Sequence, residues 1–197
     1  MSASLVHVRL RCYTIGACVS FLGMAGICSL LYPRVFDHYV YGISTFGSVA
    51  KTAALYTVGF IGTILCMALI ARELQKHEDT MTLRIGLWLG AIFMTGILIT
   101  SVGAYSQWHS TYLVHVTFAS LLALSQTIIS VWAIRQKGVS FVDYALAFSF
   151  IAIVAVSLLP LVRDIPGFRS YPLREALAFA CAMGLIGRAA FRATQDQ

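Results

Sequence analysis

Long apolar runs separated by short polar segments dominate this sequence. Each run has about 20 residues, the length that a helix needs to cross the hydrocarbon core of a bilayer. Lipid offers no hydrogen-bond partner to the backbone, so such runs are expected to be helical. The pattern predicts an all-α fold, a single polytopic transmembrane domain of six helices over residues 1–197. The six spans are Cys12–Tyr32, Thr52–Ala71, Ile85–Tyr105, Leu113–Ile134, Phe141–Val162 and Leu173–Phe191.

The composition supports a membrane location. Hydrophobic residues make up 59% of the chain and charged residues 11%, and the mean hydropathy is +0.82. Soluble domains carry about 25% charged residues, so this chain has too few charges to cover a water-facing surface. We therefore expect a multi-pass integral membrane protein, and the plasma (inner) membrane is the expected location. The five cysteines lie in or beside apolar runs without a CxxC spacing, which favours apolar packing, and we expect no metal and no cofactor.

The distribution of lysine and arginine predicts the orientation. Cytoplasmic loops of membrane proteins are enriched in both residues. Five of the 14 lie on one side of the predicted bundle, namely Arg34, Lys51, Arg163, Arg169 and Arg174. Nine lie on the other side, namely Arg9, Arg11, Arg72, Lys76, Arg84, Arg135, Lys137, Arg188 and Arg192. Both termini are therefore predicted to be cytoplasmic. The net charge of +6 is explained by topology and anionic lipid, so no nucleic-acid partner is expected.

Several residues within the spans predict contacts between helices. Glycines such as Gly59 and Gly86 allow close helix approach. In the fourth span, His115, Gln126 and Ser130 recur on one helical face, which should point towards other helices. We expect Gln126 and Ser130 to form polar contacts between helices, and a substrate pathway is the alternative. Arg188 in the last span is expected to extend its side chain to the membrane interface.

Candidates for chemistry gather on the predicted outer side. Histidine and carboxylate side chains could serve general acid–base catalysis, and arginines could bind phosphate or a lipid head group. The alternatives are a packing role for the histidine inside the membrane and a solvated, self-neutralising loop for the charged doublets. Ser44 is expected to cap a loop, although a Ser/His pair with His38 can be drawn. The catalytic candidates are His38, His109, His115, Asp164 and Glu175, and the lipid- or anion-binding candidates are Arg163, Arg169 and Arg174.

Short motifs suggest a family. The segment Tyr41–Gly47 contains the pattern I-S-x-x-G and is followed by a run of small residues over Lys51–Phe60. This resembles a bacterial and archaeal six-helix membrane family, domain of unknown function 998, and the layout is similar to the eukaryotic DRAM/Frag/Sfk membrane proteins. The turn Gly103–Tyr105 before the helix of His115 and the arginine-ended Gly184–Arg188 fit the same pattern. The resemblance implies a six-helix bundle with an outer mouth and a lipid-linked or regulatory role, and it supplies no catalytic residues.

Three functions are compatible with these features. The first is a non-catalytic membrane protein that interacts with membrane lipids or with a membrane-protein partner through its outer face. The second is a membrane-embedded hydrolase acting on lipid head groups at the outer leaflet, which requires the histidines and acids to converge. The third is a small-molecule transporter with a polar passage through Gln126 and Ser130. The absence of a recognised catalytic motif favours the first.

Overall fold

The computed structural model describes residues 3–33, 42–101, 109–158 and 171–195. Within these ranges the secondary structure is helical, without strands. Two short 3₁₀ turns, Leu74–Lys76 and Glu78–Thr80, join the third and fourth helices. The α-helices are α1 Ala3–Leu31, α2 Thr45–Ser48, α3 Ala50–Glu73, α4 Met81–Ser101, α5 His109–Ala133, α6 Phe141–Leu158 and α7 Tyr171–Ala193.

Five helices, α1, α3, α4, α5 and α7, are long and apolar enough to cross a membrane. Large hydrophobic side chains point outward from them, and Leu30 on α1 is 83% exposed. Such a surface is stable only against hydrocarbon. The prediction of an all-α polytopic bundle is thereby confirmed. The described apolar part of α6, Phe141–Ser157, is shorter, so a sixth crossing stays a prediction.

The helix bounds differ from the predicted spans mainly at the ends. Helix α1 begins at Ala3, nine residues before the predicted start at Cys12, and α4 begins at Met81 rather than Ile85. Polar and basic residues at these ends continue the helix beyond the apolar run. Apolarity marks only the part of a helix that lies in hydrocarbon, so it underestimates the length of the helix.

The helices form a ring. Helix α1 packs against α3, α3 against α4, and α4 against α5, while α7 packs against both α6 and α1. Helix α7 also contacts α5, and α6 contacts α5 less extensively. Helix α1 begins and α7 ends on one side, where Nε2 of His7 lies 3.3 Å from the backbone oxygen of Thr194. We call this side the terminal face, and the opposite side, which carries Gly42–Ser48, the cavity face.

Glycines allow the close helix contacts that the sequence predicted. A Cβ atom at Gly59 of α3 would lie 2.9 Å from the backbone oxygen of Ser20 and would also overlap Met24 of α1. A Cβ at Gly86 of α4 would overlap the side chain of Ile129 on α5. Larger residues at these positions would push the helices apart, which weakens the dispersion contacts that hold membrane helices together.

A buried ion cluster ties three helices together on the terminal face. The carboxylate of Asp143, which is fully buried, lies 2.7 Å from Nε of Arg188 and 2.8 Å from a terminal nitrogen of Arg192. Ser140 precedes α6 and donates its backbone N–H to the same carboxylate at 2.8 Å. Arg192 also reaches the backbone oxygen of Ala133 at the end of α5, at 3.4 Å. Arg188, which we expected to extend to the interface, is partly exposed but forms an ion pair.

Candidate ligand cavity

A cavity of about 440 Å³ lies inside the ring, between its middle and the cavity face. Every membrane helix contributes to its wall, and most of the lining is aliphatic or aromatic. Phe21 of α1 and Phe179 of α7 stack there with ring centroids 4.0 Å apart. A pocket of this size and character, with a few polar groups, is typical of sites that bind a small apolar or amphiphilic molecule.

The segment Gly42–Ser48, which we call the roof segment, closes part of the cavity face. Its residues 42–47 are buried. The hydroxyl of Thr52 donates to the backbone oxygen of Phe46 at 2.7 Å, and the backbone N–H of Ile43 donates to Oε2 of Glu175 at 2.6 Å. A Cβ at Gly42 would lie 2.9 Å from both carboxylate oxygens of Glu175, so a side chain at this position would displace that carboxylate.

Ser44 does not cap the loop, which corrects the expectation from the sequence. Its side chain makes no capping hydrogen bond to α2, and the residue is buried in the wall of the cavity. A hydroxyl in this position faces an apolar cavity next to two charged residues of α7. It therefore adds to the polar group at the mouth of the cavity.

Arg174 and Glu175 lie near the start of α7 and face this mouth. Arg174 is only 9% exposed, and both residues line the cavity. Glu175 is the fifth residue of α7, just beyond its first turn, and its carboxylate accepts the backbone N–H of Ile43. A solvated loop, which we considered for this doublet, is wrong for these two residues because they are helical and one is buried.

His115 lies in the wall between the mouth and the middle of the membrane. It is 6% exposed, and its Nδ1 is 2.9 Å from the hydroxyl oxygen of Thr100 on α4. That hydroxyl also donates to the backbone oxygen of Gly96 at 2.7 Å. The contact joins α5 to α4 at this level of the bundle.

Gln126 marks the deep end of the cavity. It is 8% exposed, and its amide nitrogen would lie 3.1 Å from a Cβ placed on Gly90. Its Oε1 atom is buried and has no hydrogen-bond partner among the described residues. Ser130 lies one helical turn further towards the terminal face and is buried, outside the cavity lining. The polar contacts between helices expected for these two residues stay a prediction.

The other candidates from the sequence are not among the residues that line the cavity in the part of the chain that the structure describes. His38, Arg163, Asp164 and Arg169 lie outside the described residues. His109 is the first residue of α5. The structure brings together His115, Gln126, Arg174 and Glu175 around one cavity. Within the described ranges, no group of three or more His, Cys, Asp or Glu residues could hold a metal ion.

Exposed and half-buried lining residues on α5 and α6 indicate a side opening between these helices. On α5, the lining residues Val116 and Ser120 are exposed, Val116 to 40%. On α6, the lining residues Ile153, Val154 and Ser157 are half-buried. The two helices are joined on the terminal face by the short Arg135–Ser140 segment and contact each other little. This opening was not foreseen from the sequence, because apolarity alone does not separate a lipid-facing residue from a cavity-facing one.

Comparison with models of protein families, with curated proteins and with solved structures finds no match for this chain. The function must therefore be inferred from the cavity and its opening.

Proposed function

We propose that this chain is a non-catalytic lipid-binding membrane protein that holds a single apolar chain with a polar head in its cavity. The observation that carries this proposal is the apolar cavity of about 440 Å³, which has its charged residues at one end. Arg174, Glu175 and Ser44 would surround the head group at the mouth. The aromatic and aliphatic wall would surround the chain.

The lateral opening supports a ligand that arrives from the membrane. A water-soluble substrate would need a polar route into the cavity. The exposed lining residues Val116 and Ser120 instead lie at lipid-facing positions of α5. A lipid could enter between α5 and α6 without leaving hydrocarbon. The apolar chain of such a lipid would be surrounded by apolar groups both in the bilayer and in the cavity. Moving between the two would therefore not expose the chain to water.

The contacts of the polar residues favour binding over hydrolysis. Nδ1 of His115 is bonded to Thr100, and Oε2 of Glu175 accepts the backbone N–H of Ile43. These bonds hold helices and the roof segment in place. A hydrolase would need a nucleophile within hydrogen-bond reach of its base, and the hydroxyl beside His115 belongs to Thr100, which instead donates to the backbone of its own helix.

The closed floor favours binding over transport. Beyond Gln126, the bundle is filled by fully or nearly fully buried side chains, among them Met67, Leu87 and Ile129. Ser130 lies behind this layer and does not extend the cavity. A polar passage across the membrane would have to displace this packed layer.

The position of the protein in its membrane follows from the charge bias. We propose that α6 completes a sixth crossing, that the terminal face is cytoplasmic and that the cavity opens towards the outer leaflet of the plasma (inner) membrane. The resemblance to domain of unknown function 998 and to the DRAM/Frag/Sfk proteins belongs to this proposal as well. A membrane-protein partner on the outer face is compatible with it, and no nucleic acid is involved.

Lipid binding can be tested by blocking the opening. Ala123 of α5 lines the cavity and is half-buried, so Ala123→Phe would place a ring in the opening. Ala145 of α6 is exposed outside the cavity, and Ala145→Phe is the matched control. We expect the purified protein to bind hexadecanoic acid, Ala123→Phe to bind at least about 10-fold more weakly, and Ala145→Phe to bind like the original.

Mass spectrometry of the detergent-solubilised protein would measure binding and identify any lipid that co-purifies. Thermal unfolding of both variants would confirm that they are folded. The proposal is wrong if the folded protein retains no lipid and binds no hexadecanoic acid, or if Ala123→Phe binds as tightly as the original.

A further inference from the structure

The side-chain amide of Gln126 is placed where the protein itself does not satisfy it. Its Oε1 atom has no hydrogen-bond partner within the described part of the chain. The apolar part of the cavity lining includes Met94, Phe150, Ala182 and Met183, whose side chains offer no good hydrogen-bonding group. On the other side lies Gly90, which has no side chain. Gln126 lines the cavity, so rotation of its terminal amide would turn Oε1 towards an occupant of the cavity, which could then pair with it.

An unpaired amide at this depth is costly. Buried polar groups in folded proteins nearly always have partners, and the interior of a membrane supplies none from lipid tails. A simple saturated chain would leave Gln126 unpaired when it fills the cavity. A chain with a hydrogen-bonding group at the right position would remove that cost.

Helix geometry gives the position of this group along the ligand. Eleven residues separate His115, near the mouth, from Gln126, and a helix rises about 1.5 Å per residue, so the two lie roughly 16 Å apart along α5. An extended chain advances about 1.2 Å per bond. Counted from a head group at the level of His115, the second polar group would therefore lie about 13 bonds along the chain.

We propose that the lipid bound in the cavity carries a hydroxyl group on its apolar chain and that this hydroxyl bonds to the amide of Gln126. This inference rests on the proposed lipid-binding function and names its ligand class, an oxygenated single-chain amphiphile. A hydroxyl both donates and accepts, so it pairs with either edge of an amide that can rotate about its terminal torsion. It is also uncharged, as a group near the middle of the membrane must be unless it has a counter-ion.

A cycle of ligand and protein changes tests this pairing. The ligands are hexadecanoic acid, its analogue with a hydroxyl about 13 bonds from the carboxylate, and its analogue with the hydroxyl beside the carboxylate. The variants are Gln126→Leu and, as a matched control on the same turn, Ser125→Ala. Ser125 donates to the backbone oxygen of Leu122 within its own helix and lies outside the cavity lining.

We expect the original protein to bind the chain-hydroxylated acid about 10-fold more tightly than the other two ligands. Gln126→Leu should lose this preference and bind hexadecanoic acid at least as tightly as the original does. Ser125→Ala should keep the preference. Because leucine removes an unpaired amide, Gln126→Leu should unfold at the same temperature as the original or at a higher one.

The outcomes separate the two proposals. Equal binding of all three acids by the original protein would overturn this inference and leave the lipid-binding function standing. A preference that persists in Gln126→Leu would overturn it as well, because another residue would then pair with the hydroxyl. Binding of none of the acids by the folded original protein would contradict the lipid-binding function itself.

Discussion

Asp143 shows how one residue can join three helices of a membrane bundle. Its carboxylate accepts hydrogen bonds from Ser140 and pairs with Arg188 and Arg192, while Arg192 reaches the end of α5. Removing one member of a buried ionic group leaves the other charges buried without a counter-charge. This destabilises a protein more than replacing the whole group by apolar residues does. The cluster therefore holds the α5–α6 turn against the end of α7.

Asp143→Asn should destabilise the bundle markedly. The amide keeps the shape of the side chain but leaves two guanidinium groups without their counter-charge. Buried pairs cost about 3–5 kcal/mol to break, and we expect the lower end, about 3 kcal/mol, because Arg188 is partly exposed. Equilibrium unfolding in detergent would measure the change.

Glu73→Gln is the control for this substitution. It removes the Arg9–Glu73 pair, whose nitrogen and oxygen are 3.2 Å apart and whose arginine is 45% exposed. Exposed pairs contribute at most about 1 kcal/mol. Equal destabilisation by the two substitutions would show that the Asp143 cluster is not a stabilising centre.

The ion cluster was predictable from the sequence only in part. Ser140 and Asp143 have the three-residue spacing of a helix cap, and Arg188 and Arg192 lie one turn apart on α7. Those spacings indicate two local features. Their meeting is a tertiary contact, set by the packing of α6 against α7, and local periodicity carries no information about it.

At the scale of the element, the roof segment depends on few bonds. Helix α2 has only four residues, too short to be stable by itself. The hydroxyl of Thr52 holds it from α3 through the backbone oxygen of Phe46. Glu175 holds the preceding turn from α7.

Thr52→Val should loosen the roof segment. Valine keeps the shape but removes the donor to Phe46, and loss of one hydrogen bond of about 1 kcal/mol corresponds to about 5-fold more frequent opening. Hydrogen exchange in residues 42–48 should accelerate accordingly. Thr57→Val is the control, because the hydroxyl of Thr57 donates to Ala53 of its own helix; equal acceleration in both variants would contradict this role.

The contact between α1 and α3 depends on Gly59. Gly59→Ala would bring a methyl group to 2.9 Å from a backbone oxygen of α1 and closer still to Met24. Helix backbones cannot yield as a side chain does, so we expect destabilisation of about 1–3 kcal/mol in detergent unfolding. Gly23→Ala is the control, because no atom lies within 4 Å of the added Cβ; it should be neutral or slightly stabilising. Similar losses from both would argue against close α1–α3 packing.

The elements and the site differ in how far the sequence predicts them. Five of the six spans were predictable because hydrocarbon demands long, all-round apolar helices. The same uniform apolarity hides which side of α5 faces lipid. It was the polar residues His115 and Gln126 that indicated an inward face. The roof segment, the side opening and the burial of Arg174 arise from contacts between distant parts of the chain, so no local pattern predicts them.

The whole molecule has two unlike faces. The terminal face carries the Asp143 cluster, the Arg9–Glu73 pair and a guanidinium of Arg11 that lies 4.7 Å from the ring centre of Phe191. The cavity face carries the roof segment and the mouth. The half of the bundle at the terminal face is densely packed and held by ion pairs, whereas the half at the cavity face contains the cavity. This arrangement is suitable for the proposed binding, because a stable half fixes the shape of the cavity and a less tightly packed half gives a ligand access to it.

The orientation of these two faces in the membrane determines which leaflet lies at the level of the cavity mouth. Lys51 on the cavity face and Lys137 and Gln195 on the terminal face are exposed, so single cysteines there would be accessible to a membrane-impermeant thiol reagent. On intact cells we expect Lys51→Cys to react, and Lys137→Cys and Gln195→Cys to react only after the membrane is opened. The original chain, with its five native cysteines, sets the background. The reverse pattern would place the mouth on the cytoplasmic side. Labelling of both Lys51→Cys and Lys137→Cys on intact cells would mean that the two faces do not lie on opposite sides of a membrane.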